Sequence, residues 1–135
     1  MRRVAALLAL LALLVAAAGC VSPAWDDHDY ALKAEQSDES VSSVIRIVRL
    51  AVQNSHRLTR PYLKVVLTDA AGELDAVGDQ FGGVQPPSER SDQVRERLLD
   101  RIQRAEALVD DLLIQVRRDR IKDPARAVRE LEALG

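Results

Sequence analysis

Apolar residues recur in steps of three and four through most of this chain, and no segment alternates in steps of two over a strand's length. That spacing is the period of an α-helix with one buried face, so the expected fold class is all-α. One stripe runs through Val41, Val44, Val48, Ala51, Ser55, Leu58, Tyr62, Val66, Ala70, Leu74, Val77 and Phe81. A second runs through Val94, Leu98, Ile102, Ala105, Val109, Leu112 and Val116. Between them lies Gly82-Gly83-Val84-Gln85-Pro86-Pro87, which cannot continue a helix and marks a reverse turn.

The spacing predicts an antiparallel helical hairpin. Its arms, residues 37–81 and 88–134, hold 45 and 47 residues. At 1.5 Å per residue such an arm would reach roughly 65 Å. Ser37 or Asp38 is the expected N-cap of the first arm, and Ser88 or Ser91 that of the second. Pro61 interrupts the first stripe without shifting its phase, which predicts one long helix kinked there. The alternative is that Pro61 and Pro124 divide the chain into a shorter bundle of three or four segments. Asp123-Pro124 reads as an N-cap followed by proline at the first helical position, opening a short terminal helix with Val128, Leu131 and Leu134. Arg117, Arg118, Arg120 and Lys122 crowd the end of the second arm, where cations suit the helix dipole.

The stripes alone do not hold all the apolar residues. Ile45, Ile47, Leu50, Val52, Leu63, Val65, Leu67, Leu99, Leu108, Leu113 and Ile114 lie beside them. A two-helix seam is narrower than this. The terminal helix is therefore expected to fold back over part of the surface, and a homodimer or an envelope protein partner to cover the remainder. With Trp25, Tyr30, Tyr62 and Phe81 as the only aromatics, the core must be built from Leu, Val, Ile and Ala.

The amino-terminal segment has a different character. Met1-Arg2-Arg3 precedes an apolar run over residues 4–18, and Ala17-Ala18-Gly19-Cys20 closes it. A basic start, an apolar stretch and small residues make a secretory signal peptide. The 15-residue run is shorter than a membrane-spanning helix requires. Ala17-Ala18-Gly19-Cys20 resembles the lipobox of bacterial lipoproteins, with Ala17 where that family usually carries leucine. The resemblance implies cleavage between Gly19 and Cys20 and attachment of diacylglycerol to the Cys20 thiol. Two acyl chains suffice for stable anchoring, at ~0.8 kcal/mol per buried methylene. The implied organisation is a signal peptide over residues 1–19, an acylated cysteine and tether over 20–36, and a helical domain over 37–135. The implied location is the outer face of the cytoplasmic membrane. In a Gram-negative host it would be the outer membrane, because Val21 is not a retention aspartate. In its Arg-, Ala- and Val-rich composition the rest of the chain resembles small helical lipoproteins of GC-rich bacteria.

Loss of Arg2 and Arg3 with the signal leaves 17 basic against 21 acidic residues, a formal charge of −4. That balance, with no basic face interleaved with aromatics, argues against nucleic acid as a partner. Acylation would consume the only thiol, leaving none for a disulfide or a cysteine metal site. Asp26, Asp27, His28 and Asp29 offer metal-binding side chains, but a tether would not hold them in a fixed geometry. His56 lacks a second histidine at helical spacing. Ser37, Ser40, Ser42, Ser43 and Ser55 lack a histidine and carboxylate at credible positions. Glu106, Asp110 and Asp111 have none of the Glu-x-x-His pairs of a di-metal bundle. Asp100 and Arg104 are expected to pair across one helical turn. Arg117, Arg118 and Arg120 are candidates for contact with anionic lipid or an anionic wall polymer. No catalytic residue, metal or cofactor is legible, and a non-enzymatic scaffold or interaction module is expected. The alternative is a bundle that binds a small apolar ligand between its helices.

Overall fold

The computed structural model describes residues 24–135. The expected signal peptide, with Gly19 and Cys20, lies outside the described residues. Four helices account for 81% of the described residues, with no strand among them: α1 (Asp27–Gln53), α2 (Arg60–Gly82), α3 (Glu89–Arg118) and α4 (Pro124–Leu134). The Tyr30 ring, early in α1, packs on Phe81, late in α2, with centroids 5.4 Å apart, so α1 and α2 run antiparallel. Contacts of Gly78 and Gly82 with Ile102 and Leu99 make α2 and α3 antiparallel as well. The short α4 returns along α1, its end meeting Ile45 and Arg49. The result is an all-α bundle in up-down-up order with a short closing helix.

Two expectations are corrected. Residues 27–36 are not tether: α1 begins at Asp27, ten residues before the expected cap. Asp26 is extended and its carboxylate accepts from the Asp29 amide at 2.8 Å, while Asp27 and Asp29 place negative charge at the positive pole of the helix. Tyr30 and Ala34 extend the buried stripe backwards at the spacing of Val41 and Val44, and Tyr30 is fully buried.

The first arm is also broken, not kinked. Asn54 ends α1, its side-chain amide donating to the Leu50 carbonyl at 2.8 Å. Residues 54–59 reverse the chain and Thr59 begins α2, leaving Pro61 in its first turn. There the missing amide hydrogen costs nothing, whereas in a helix interior proline costs about 3 kcal/mol. Tyr62, expected in the buried stripe, stands 55% exposed, and Leu63 and Leu67 take the inner positions instead.

Breaking the arm supplies the missing cover. Ile45, Val52, Leu67 and Leu113 are buried within one chain and Leu99 is partly buried, so these residues need no partner. The buried apolar side chains all come from residues 30–131, giving residues 24–135 a core of their own. The turn after α2 and the later caps stand as read. Gly83 follows α2, Ser88 caps α3 by accepting from the Ser91 amide, and Asp123 caps α4 by accepting from the Arg126 amide at 2.9 Å. Arg101 on α3 is the clip that holds α4 down. It donates to the Leu134 carbonyl at 2.6 Å and to the Ser42 hydroxyl at 2.9 Å, and pairs with Asp38.

Candidate functional site

The two site residues expected from the sequence, Gly19 and Cys20, lie outside the described residues. Trp25, five positions after Cys20, is 86% exposed.

The acids that follow are each committed to structure. Asp26 caps α1 and Asp29 pairs with Lys33 at 3.3 Å. Asp27 accepts from the Ser88 and Ser91 hydroxyls, at 2.5 and 2.7 Å, and so ties the start of α1 to the start of α3. Those two bonds favour the carboxylate and hold its pKa below the ordinary value. No group of three or more His, Cys, Asp or Glu side chains among the described residues is placed to hold a metal. His56 is exposed in the α1–α2 turn and not on a helix. Of the serines, Ser40 bonds back to the Gln36 carbonyl and Ser42 accepts from Arg101.

Glu106 is set against α2 beside Gly78. A Cβ at Gly78 would lie 3.3 Å from the Ile102 methyl and 3.6 Å from the Glu106 carboxylate, so glycine permits this close approach. Burial raises the pKa of Glu106, and Asp75, Asp110 and Asp79 add to the rise. Asp111 instead accepts from Gln115 at 2.7 Å. Asp100 and Arg104 pair at 2.8 Å as expected.

A groove of about 460 Å³ lies between α1 and the end of α2. Gln36, Ser37, Ser40 and Gln80 give it a polar wall, and Phe81 is its single ring. Tyr62 lies at the opposite end of the bundle, so the aromatics do not converge on one pocket.

The most distinctive surface is the end of the bundle farthest from Ala24, where the α1–α2 turn meets the α3–α4 turn. Residues 54–64 and 117–123 carry seven basic and two acidic side chains, while the other described residues carry ten basic and nineteen acidic ones. Arg57, Arg60, Lys64, Arg117, Arg118 and Lys122 are all exposed, and none has an ion-pair partner among the described residues. Of the two acids, Asp119 meets Arg120 at 3.9 Å and Asp123 caps α4. Tyr62, Val65 and Ile114 are exposed at the same level.

Helix stability explains only part of this charge. Arg117 and Arg118 suit the negative end of α3. Arg60 and Lys64 occupy the first turns of α2, its positive end, which has no acid and no side-chain cap. A continuous first arm hid this cluster by placing residues 54–64 in mid-helix. The signal available was Pro61 itself, since proline favours the first turn of a helix. Comparison with protein-family models, with curated proteins and with solved structures finds no match to this chain.

Proposed function

We propose that the chain is a lipoprotein anchored through Cys20 outside the cytoplasm, and that its bundle acts as a non-catalytic scaffold or protein-interaction module of the envelope. The observation that carries the interaction role is the outer side of α1. Leu32, Ile47 and Leu50 are exposed there within one narrow sector of the helix, although the bundle has a complete core without them. Apolar side chains aligned on one helix side offer a contact for a second copy or an envelope protein. The lipobox resemblance at residues 17–20 supports the anchor, and exposed Trp25 suits a position near the headgroups. No described helix is long and apolar enough to cross a membrane.

Fractionation of cells producing Cys20→Ser tests the anchor. The variant should leave the membrane fraction or accumulate as the precursor; unchanged fractionation with no mass difference would reject it. Sedimentation of the non-acylated chain, with and without Ile47→Ser and Leu50→Ser, tests self-association. The α1–α2 groove favours a second reading, capture of a small ligand against Phe81. It would gain ground if the domain stays monomeric and cross-links to nothing in cells.

A further inference from the structure

We propose that the basic tip of the bundle, residues 54–65 and 114–122, docks on an anionic lipid bilayer. This contact is separate from the α1 face and does not depend on acylation of Cys20. Three observations converge on it. The positive charge is concentrated at one end of a molecule that is otherwise strongly acidic, so the tip alone is attracted to a negative surface and the remainder is repelled. Arg60 and Lys64 oppose the α2 dipole instead of serving it, so helix formation does not account for them. The exposed apolar residues among the cations then separate a bilayer from a hydrophilic polyanion. Tyr62 and Val65 are 55% and 57% exposed, one helical turn apart on α2, and Ile114 lies level with them on α3. A wall polymer would use the charges and gain nothing from these side chains. A bilayer uses both: lipid phosphates meet the guanidinium and ammonium groups, and Tyr62 and Val65 enter the interface.

The geometry suits a surface better than a cleft. Arg57 and Lys122 lie in the two turns, and Arg60, Lys64, Arg117 and Arg118 in the adjoining ends of α2 and α3, so six exposed basic side chains gather at one end of the bundle. At a length of about 40 Å, α1 places this contact at the opposite end of the bundle from Ala24 and the expected anchor.

Flotation with lipid vesicles tests the proposal, using the chain from residue 21 so that no acyl group contributes. The chain should bind vesicles of phosphatidylglycerol and phosphatidylcholine, ignore pure phosphatidylcholine, and detach as sodium chloride is raised. Each basic residue removed should lower partitioning about fivefold, so R57Q/R60Q/K64Q should weaken binding by roughly two orders of magnitude. R90Q/R97Q, at the acidic end, should change it little. Y62A/V65A should also weaken binding, and circular dichroism should show all three variants folded. Equal binding by the parent chain and the folded triple variant would overturn the proposal, as would failure to bind phosphatidylglycerol vesicles. Binding to soluble poly-glutamate without binding to vesicles would assign the tip to a polyanion instead. A tip-dependent protein cross-link in cells, again without vesicle binding, would assign it to a protein.

Discussion

Replacing Arg101 by Met tests how the closing helix is held. Methionine keeps the apolar stem and removes the guanidinium, so packing is nearly conserved and the polar clip is lost. The side chain is only 16% exposed and makes three polar contacts. The bonds to the Leu134 carbonyl and the Ser42 hydroxyl involve a charged donor, and such bonds contribute about 1.5–3 kcal/mol each when well shielded. Asp38 is half-exposed, which limits its pairing with Arg101 to about 0.5 kcal/mol. Allowing for partial solvation of the other two, the loss should be about 3 kcal/mol. For a domain of this size that lowers Tm by about 12 °C. Urea unfolding should show a lower midpoint with an unchanged slope. Amide exchange should accelerate first in α4, whose end loses its cation. Asp38→Asn should cost less than about 1 kcal/mol, because the other two bonds remain. A loss below about 0.5 kcal/mol for Arg101→Met, or faster exchange everywhere except α4, would refute the clip and leave α4 held mainly by apolar packing through Ala127 and Leu131.

Tyr30→Phe should raise stability by about 1 kcal/mol, because the buried hydroxyl has no hydrogen-bond partner among the described residues; calorimetry checks it. Gly72→Ala should stabilise by about 0.5–1 kcal/mol in denaturant titration, since the position is helical and a Cβ there meets nothing within 4 Å. Glu106→Gln should stabilise the fold at pH 7 and make no difference at about pH 4. The folded-state pKa of Glu106 is raised above the ordinary value, so the native state binds more proton in the interval between the two. The wild type therefore loses stability as pH rises through that interval, and the Gln variant does not lose this part. Parallel thermal melts across pH 4–8 would show the two curves separating, and curves that stay parallel would contradict the effect.

Helical class, the Gly-Gly to Pro-Pro turn, the caps at Ser88 and Asp123, the α3 stripe and the Asp100–Arg104 pair are all local properties, and each was legible in the residues. A period of 3.6, a residue that cannot continue a helix and a side chain that satisfies a free amide act within a few positions of one another. The start of α1 was legible in principle: Tyr30 and Ala34 carry the stripe, and Asp26 is a good cap. Dense acids around them hid it, because the burial of Tyr30 depends on Phe81, fifty-one residues away. Whether Pro61 bends or breaks the first arm was a tertiary decision. A continuous helix would keep the apolar phase but leave Ile45, Val52 and Leu67 without cover, and only folding α2 back on α1 buries them. The same reversal brings Arg57, Arg60 and Lys64 beside Arg117 and Arg118. Charge density at a surface is a sum over segments distant in sequence, so that tip belongs to the fold and not to any stretch of the chain.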